Sequence, residues 1–269
     1  MIDLTGKTAL VTGGAQGIGK AICVALAEVG CNIAIVDIKP EVAEETCKEL
    51  RDMGVKAEYF ISDITDSSKV AGVFDAAEAA VGPVDILVNN AGTGGPSLVY
   101  QMSDEEWHRV MNVNLNAAFY YAREAVNRMI PRKWGRIINV DSIAGLRMSV
   151  LGSGAYSASK AGLLGLTRHL GYEVARFGIT VNAICPGETK TPLTDNGGFA
   201  EIQAERARYN PSGRTCVVEE HAYVARFLAS DEAAMVTGQA WAVDGGSSLG
   251  WMPMDRYLEY REGKTFNNK

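Results

Sequence analysis

The stretch "TALVTGGAQGIGKA" at residues 8–21 decides the fold, because it joins an apolar run to a helix-like segment through four glycines. These are Gly13, Gly14, Gly17 and Gly19. Fixing a glycine costs backbone entropy, so this density needs a geometric reason. Between a strand and a helix, glycines allow a tight turn and a close approach of the backbone to a phosphate. The stretch therefore predicts a phosphate-binding turn at the start of a strand–helix unit.

Apolar runs of strand length recur along the rest of the chain, and segments with helical spacing lie between them. The runs cover residues 8–12, 32–37, 57–63, 84–90, 135–140, 179–184 and 239–243. Strands that are apolar throughout and alternate with helices form parallel sheets covered on both faces. The pattern predicts an α/β fold with one Rossmann-type, doubly wound parallel sheet of about seven strands and helices on both faces.

Length and composition bound the class of protein. The 269 residues are 47% apolar and 22% charged, with a net charge of −6, which is typical of a globular domain. The acidic balance argues against nucleic acid or an anionic membrane as a partner and favours a small molecule. The N-terminus has no signal-like pattern and no window is long and apolar enough to span a bilayer, so a cytoplasmic location is expected.

The metal-binding and redox-active residue types are sparse. The five cysteines form no CxxC pair and are interpreted as reduced thiols. With only three histidines, no metal site is predicted. His169 is expected on a helix surface or at an interface, and Cys185 as a packed thiol.

Asp37 strengthens the prediction of a dinucleotide site, because it ends the second apolar run 18 residues beyond Gly19. An acidic residue about 20 positions beyond the glycine turn accepts hydrogen bonds from the adenosine ribose hydroxyls. A carboxylate in that place also repels a 2′-phosphate. The predicted coenzyme is therefore NAD.

Several motifs occur together in a fixed order. They are "TGGAQGIG" (12–19), "NNAG" (89–92), Asn114 in "NVNL", Ser142, "YSASK" (156–160) and "PGETKT" (186–191). In this combination, residues 5–248 resemble the short-chain dehydrogenase/reductase family. The resemblance implies one NAD-binding and catalytic domain over 1–249. Residues 187–215 form a long polar insertion after the sixth apolar run, which is typical of a functional lid or a disordered segment. Its position after the carboxyl end of a strand favours a substrate lid.

The same resemblance implies which residues hold the coenzyme. Asp63 and Ile64 would lie at the adenine, and the segment 90–92 along the ribose. The segment 186–191 would position the nicotinamide carboxamide. The full set is Gly13, Gln16, Gly17, Ile18, Gly19, Asp37, Ile38, Asp63, Ile64, Asn90, Ala91, Gly92, Tyr156, Lys160, Pro186, Gly187, Thr189 and Thr191.

Tyr156 and Lys160 are spaced i, i+4 in a helical segment, so their side chains share a face. A lysine ammonium beside a phenol favours the phenolate, which makes Tyr156 a usable general acid/base. Ser142 follows the fifth apolar run, where an open α/β sheet presents its ligand crevice, and its hydroxyl can hold a substrate oxygen. The resemblance implies that Lys160 also binds the nicotinamide ribose and that Asn114 orders a water linked to Lys160.

Two positions depart from the family pattern. Asp141 stands where a second serine is frequent, and Thr189 replaces the usual valine or isoleucine. Neither departure removes a catalytic atom. Asp141 is expected to alter the charge near the sheet end, and Thr189 to alter how the carboxamide is held.

The resulting hypothesis is an NAD-dependent alcohol dehydrogenase or carbonyl reductase for a small alcohol, a polyol or a sugar acid. The sugar-acid option rests on the polar residues Lys190, Thr194, Asp195 and Asn196 and on Arg147. A 3-oxoacyl-thioester reductase of the same family and a non-catalytic dinucleotide-binding regulator remain alternatives.

Two further expectations concern assembly and the C-terminus. The apolar surface around Trp107 and Phe119 lies on one long predicted helix, which in the resembling family packs in a dimer. A homodimer or homotetramer is therefore expected. The tail 250–269 is too apolar for a solvated terminus and is predicted to cover a substrate pocket or to form a subunit contact.

Overall fold

A computed structural model describes residues 2–148, 152–192, 194 and 205–263. Seven parallel strands form one sheet in the order β3-β2-β1-β4-β5-β6-β7. The strands are β1 (Thr8–Thr12), β2 (Asn32–Asp37), β3 (Ala57–Ile61), β4 (Ile86–Asn89), β5 (Gly135–Val140), β6 (Ile179–Pro186) and β7 (Ala240–Val243). The strand order reverses between β1 and β4, where a doubly wound sheet opens a crevice at its carboxyl ends. The predicted fold class is confirmed.

Helices connect the strands and cover both faces of the sheet. They are α1 (Gly17–Ala27), α2 (Pro40–Asp52), α3 (Val70–Val81), α4 (Asp104–Met111), α5 (Ala117–Met129), α6 (Gly154–Val174), α7 (Val218–Ala229) and α8 (Met254–Arg261). Within the described ranges, no helix is both long and apolar enough to cross a membrane.

Alternation along the central strands divides the core into two halves. Ala9 and Val11 of β1 point into the half that α1, α2 and α7 cover, whereas Leu10 points into the half that α3, α5 and α6 cover. Successive side chains of a strand face opposite sides, so a strand buried on both sides must be apolar throughout. All five cysteines are buried and free.

Five predicted strand boundaries, on four strands, were wrong by one to two residues. β3 ends at Ile61 rather than residue 63, because its only neighbour β2 ends at Asp37, which pairs with Ile61. β4 spans four residues, 86–89 instead of 84–90, and Asn90 leaves the sheet because its side chain turns to the glycine loop. β6 runs on to Pro186 because β7 pairs with it up to that residue, and β7 itself begins at residue 240.

The long helix predicted around Trp107 and Phe119 is interrupted. A π-helical segment, Asn112–Asn116, separates α4 from α5. Single π turns inside helices are frequent at functional sites. The segment turns Asn114 inward, where the residue is 2% exposed.

Candidate active site

The glycine turn has the geometry of an anion cradle. Gly13 and Gly17 have φ values of +63° and +58°, which side chains rarely adopt. A Cβ at Gly19 would overlap the carbonyl oxygen of Gly13, and one at Gly13 would lie 3.0 Å from Cα of Ala91. Among the residues that the structure describes, no side chain caps the N-terminus of α1, whose N-cap is Gln16. The turn therefore leaves the first N–H groups of α1 facing the crevice, as a pyrophosphate requires.

The segment 90–92 is tied to this turn by side-chain hydrogen bonds. Nδ2 of Asn90 donates to the carbonyl oxygens of Thr12 (3.0 Å) and Gly13 (2.8 Å). The hydroxyl of Thr12 accepts from the N–H groups of Asn90 (3.0 Å) and Ala91 (3.2 Å). Thr12 was not among the predicted site residues, although its place at the end of β1 beside the glycines was a usable signal.

Asp37 lies at the carboxyl end of β2, half-buried beside the turn. Its Oδ2 accepts from the N–H of Ala15 (3.3 Å), and its Oδ1 accepts from the N–H groups of Ile38 (2.8 Å) and Lys39 (3.2 Å). The Ile38 side chain is 67% exposed. Asp37 thus joins the glycine turn to the loop after β2, with carboxylate lone pairs left for a ribose.

Asp63 and Ile64 follow β3, the neighbour of β2. Oδ1 of Asp63 accepts from both the N–H (2.9 Å) and the hydroxyl (2.8 Å) of Thr65, and Ile64 packs against the core. Their place at the same sheet edge as Asp37 is compatible with the predicted adenine contact, which stays a prediction.

The predicted catalytic residues come from β5, the π segment and α6. Ser142 is the second residue after β5 and follows Asp141. Its Oγ accepts from the N–H of Ala144 (3.1 Å). Ser153 caps α6 by accepting from the N–H of Tyr156 (3.3 Å). Nζ of Lys160 lies 5.7 Å from the ring centroid of Tyr156. The i, i+4 pair therefore shares one face of α6, as predicted.

Lys160 and Asn114 meet at Gly92. A Cβ there would lie 3.5 Å from Oδ1 of Asn114 and 4.0 Å from Nζ of Lys160. Asn114 is held by Thr93, whose N–H donates to Oδ1 at 2.8 Å, and by Ser159, whose Oγ accepts from Nδ2 at 3.1 Å. Nζ of Lys160 donates to the carbonyl oxygen of Val140 at 2.8 Å.

A small internal cavity of about 10 Å³ is lined by Asn114 and Lys160, together with Thr12, Asn89 and Ala91. This volume is close to the minimum that a water molecule needs. Polar groups line it on several sides. The cavity therefore supports the predicted water between Asn114 and Lys160, which stays a prediction.

Comparison with known proteins agrees with this geometry. The family model for short chain dehydrogenases matches residues 7–199. The chain belongs to the short-chain dehydrogenase/reductase family. It is 37% identical to the oxidoreductase UcpA of Escherichia coli, with 93% of this chain and 97% of that protein covered. It is 39% identical to the 3-oxoacyl-[acyl-carrier-protein] reductase FabG of Rickettsia conorii, with 91% and 98% covered.

A solved structure is similar as well. It is that of a candidate NAD(P)-dependent gluconate 5-dehydrogenase from Beutenbergia cavernae with bound NADP at low occupancy. The two chains are 36% identical, the TM-score is 0.86, and the match covers 92% of this chain and 99% of the other.

The segment predicted to hold the nicotinamide follows β6 in this short-chain dehydrogenase/reductase. The N–H of Gly187 donates to the carbonyl oxygen of Val243 (3.0 Å). A Cβ at Gly187 would lie 2.7 Å from Cβ of Asp244, so a side chain is excluded there. The Thr191 N–H donates to Oγ1 of Thr194 (2.9 Å). These contacts at Gly187 and Thr191 fix the backbone of the segment 186–191 at the carboxyl end of β6.

Thr189, one of the two departures from the family pattern, has a buried partner that the sequence did not predict. Its Oγ1 lies 2.7 Å from Nε2 of His221 on α7, and its hydroxyl donates to the carbonyl oxygen of Gly187 (3.0 Å). A hydroxyl has one hydrogen, so the assigned tautomer of His221 carries its proton on Nε2 and donates to Thr189. Nδ1 is buried and has no hydrogen-bond partner among the described residues. Burial lowers the pKa of His221 to about 4.

This depressed pKa predicts a pH-dependent stability. Between pH 6.5, the ordinary value, and about 4, the unfolded chain binds a proton at His221 and the folded chain does not. Stability from neutral His221 is therefore lost as pH falls through this window, by at most about 1.4 kcal/mol per pH unit. We expect the His221→Gln substitution to remove this loss of stability with falling pH. The free energy of unfolding in urea, measured between pH 6.5 and about pH 4, tests this.

His108 provides the matched control, because it is an exposed histidine on α4. His108→Gln is expected to keep the wild-type pH dependence. The same pH dependence in His221→Gln and wild type would contradict a buried, neutral His221.

The predicted lid and tail are described in part. Asp195 and Asn196 lie outside the described residues, as do residues 264–269 of the tail. Arg208, in the second half of the lid, forms an ion pair with Asp255 of α8 at 3.0 Å. Nη1 of Arg147, in the loop after Ser142, lies 3.5 Å from the carbonyl oxygen of Gly250. The tail thus contacts both the lid segment and the loop after Ser142.

Proposed function

We propose that this enzyme is an NAD-dependent alcohol dehydrogenase or carbonyl reductase that acts on a secondary alcohol of the small alcohol, polyol or sugar-acid type. The observation that carries the proposal is the shared face of Tyr156 and Lys160, where Lys160 reaches Gly92 in the segment tied to the glycine turn, with Ser142 two residues after β5. This arrangement provides a proton acceptor, a fixed positive charge and a hydroxyl for the substrate oxygen at the sheet edge that binds ligands.

Each side chain has one task in the reaction. Ser142 holds the substrate oxygen, and one positioned donor of this kind contributes about 3 kcal/mol to transition-state stabilisation. Tyr156 takes the hydroxyl proton during oxidation and returns it during reduction. Lys160 stabilises the phenolate with its charge. A nicotinamide coenzyme held at this site would supply the acceptor for the hydride of the alcohol carbon. Asn114 holds the water through which the proton reaches solvent.

Asp37 supports NAD over NADP. Its carboxylate offers acceptors to two ribose hydroxyls, whereas a 2′-phosphate would bring like charges together. Ile38 and Gln16, the positions where family members that take the phosphate usually carry a basic residue, are uncharged. The similar protein from Beutenbergia cavernae holds NADP, so the coenzyme preference needs a direct measurement.

Arg147 supports a substrate that carries a carboxylate. Its Nε is buried and has no hydrogen-bond partner within the described part of the chain. The Asp244 carboxylate accepts from the N–H groups of Gly246 (2.9 Å) and Ser248 (2.8 Å). These hydrogen bonds outweigh the effect of burial and lower the pKa of Asp244, and the charge of Arg147 adds to this. Asp244 therefore has hydrogen-bond donors other than Arg147. Arg147 also lines a cavity of about 770 Å³ with Ala144, two residues after Ser142, and Ser153, three residues before Tyr156. A guanidinium with unused donors suits a carboxylate.

A substrate panel tests both the oxidation of secondary alcohols with NAD and the role of Arg147 in binding a carboxylate. Reduction of NAD is measured over secondary alcohols, neutral polyols and the matching sugar acids. For the sugar acids, Arg147→Met is expected to raise KM at least about tenfold and to leave kcat/KM for neutral polyols unchanged.

Arg176→Met, on an exposed arginine before β6 at the opposite edge of the sheet, is the control and is expected to change neither. Equal losses for acidic and neutral substrates in Arg147→Met would contradict the carboxylate assignment. If wild type oxidises no alcohol in the panel, the proposed activity is wrong.

Reduction of a 3-oxoacyl thioester is the second candidate, because the curated relatives include 3-oxoacyl-[acyl-carrier-protein] reductases at similar identity. Asp37 counts against it, since a reductive role more often uses NADPH. Adding a 3-oxoacyl thioester with NADH and with NADPH to the panel separates the two. Efficient thioester reduction with NADPH and slow alcohol oxidation with NAD would favour the second candidate.

We also propose that residues 187–215 act as a substrate lid and that the tail helps to cover the pocket. The ion pair between Arg208 and Asp255 supports this, because it links the two segments. Assembly as a homodimer or homotetramer is proposed with it. Trp107 and Phe119 on α4 and α5 are 39% and 42% exposed, which supports a subunit contact on that face.

A further inference from the structure

Asp141 is a buried carboxyl group immediately before Ser142. It is 3% exposed, and its Oδ1 accepts from the N–H of Ser142 at 2.7 Å. Its Oδ2 is buried without a hydrogen-bond partner among the described residues. An ionised carboxylate in such a place is costly unless a nearby positive charge compensates it.

Gly145 lets the Asp141 carboxyl group lie close to the backbone of Lys160. A Cβ at Gly145 would lie 2.5 Å from Oδ1 of Asp141 and 3.0 Å from the backbone carbonyl of Lys160. Because Gly145 has no side chain, the turn after Ser142 leaves room for the Asp141 carboxyl group beside the backbone of α6. Nζ of Lys160 donates to the carbonyl oxygen of Val140, the residue before Asp141. The ammonium and the carboxyl group thus flank one peptide unit.

The charges around Asp141 come from few groups. Burial raises its pKa to about 7, while the charge of Lys160 and the N–H of Ser142 act to lower it. Cys185 faces it from β6, but burial raises the pKa of that thiol to about 12, so it is neutral. Above about pH 7, where it ionises, Asp141 is therefore the group that places negative charge next to Lys160.

We propose that Asp141 is a positioning residue that holds the Ser142 backbone and weakens the field of Lys160 at Tyr156, so that Tyr156 accepts the substrate proton only at a higher pH. This inference rests on the proposed function. The Lys160 ammonium favours the Tyr156 phenolate through its field, and a nearby carboxylate cancels part of that field. The serine that is frequent at this position in the family carries no such charge.

Asp141→Asn isolates the charge, because an amide oxygen can still accept from the N–H of Ser142. For alcohol oxidation, the midpoint of the acidic limb of the kcat/KM profile is expected to move down by at least about half a pH unit. NADH affinity is expected to stay unchanged. Asp141→Ser is expected to shift the midpoint in the same direction and serves as the second variant should the first fail to fold.

Glu232→Gln is the matched control, since it removes an exposed carboxylate that precedes β7 at the opposite edge of the sheet. It is expected to leave the midpoint in place. A midpoint in Asp141→Asn that equals the wild-type value, or lies above it, would overturn the proposal. A purely structural role would change melting temperature without moving the midpoint.

A second readout separates this proposal from the proposed function. The ultraviolet difference signal of tyrosinate, titrated with NADH bound, contains a component that Tyr156→Phe removes. That component follows ionisation of Tyr156 without turnover. If wild type oxidises no alcohol, the proposed function fails and this titration still decides the role of Asp141. A lower midpoint in Asp141→Asn supports the role, and an unchanged midpoint overturns it.

Discussion

Replacing Tyr156 with phenylalanine is expected to reduce kcat by at least about a thousandfold, because the change deletes the oxygen that transfers the proton. NADH affinity is expected to stay within about twofold, since little binding surface is lost. Ser142→Ala is expected to lose a factor of about a hundred or more, as one positioned donor is removed. Steady-state rates together with NADH fluorescence titration measure both effects.

Tyr172 provides the matched control for this prediction. It lies on the same helix, α6, and is 87% exposed. Tyr172→Phe is expected to retain wild-type rates. Activity close to wild type in Tyr156→Phe would refute Tyr156 as the general acid/base.

The coenzyme preference is the second large effect. We expect kcat/KM with NAD to exceed that with NADP by at least about a hundredfold, equivalent to about 2.7 kcal/mol. Asp37→Ala is expected to narrow this gap mainly by weakening NAD binding. Combining Asp37→Ala with Ile38→Arg is expected to reverse the preference, because a guanidinium binds a phosphate through two hydrogen bonds. Lys39 is the one cation close in sequence and permits some residual use of NADP.

Asp37 also accepts from the N–H of Ala15, so its removal loosens the glycine turn as well as the ribose contact. Asp37→Asn separates the two roles. The amide oxygen of the new side chain can still accept from the N–H of Ala15, whereas the negative charge is removed. Asp52→Asn, on an exposed carboxylate at the end of α2, is the control. Equal efficiency with both coenzymes in wild type would show that Asp37 does not face the ribose.

Local features of the fold could be predicted from the sequence because they depend on short-range rules. The glycine spacing at 13–19, the apolar strands and the i, i+4 pair of Tyr156 and Lys160 each follow from backbone geometry. Strand ends were less accurate, since a strand ends where its neighbour in the sheet ends. β3 illustrates this, because Ile61 is its last residue with a partner on β2.

Long-range contacts explain what the sequence did not reveal at the candidate site. Thr189 and His221 are separated by 32 residues, and only the packing of α7 against the sheet joins them. The π segment that turns Asn114 inward breaks a helical pattern that was otherwise regular. Asp141 was recognised as a departure from the family pattern, but its burial beside Lys160 depends on the turn at Gly145.

Hydride transfer from a secondary alcohol to NAD is the reaction on which the proposed function depends. The most direct test uses an alcohol accepted in the panel, deuterated at the carbinol carbon, with wild-type enzyme and with Tyr156→Phe. In wild type, the reduced coenzyme is expected to carry the deuterium at C4 of the nicotinamide, and Tyr156→Phe is expected to form almost none. Reduced coenzyme without deuterium would contradict hydride transfer from the alcohol carbon. Equal label transfer by both proteins would contradict the role of Tyr156.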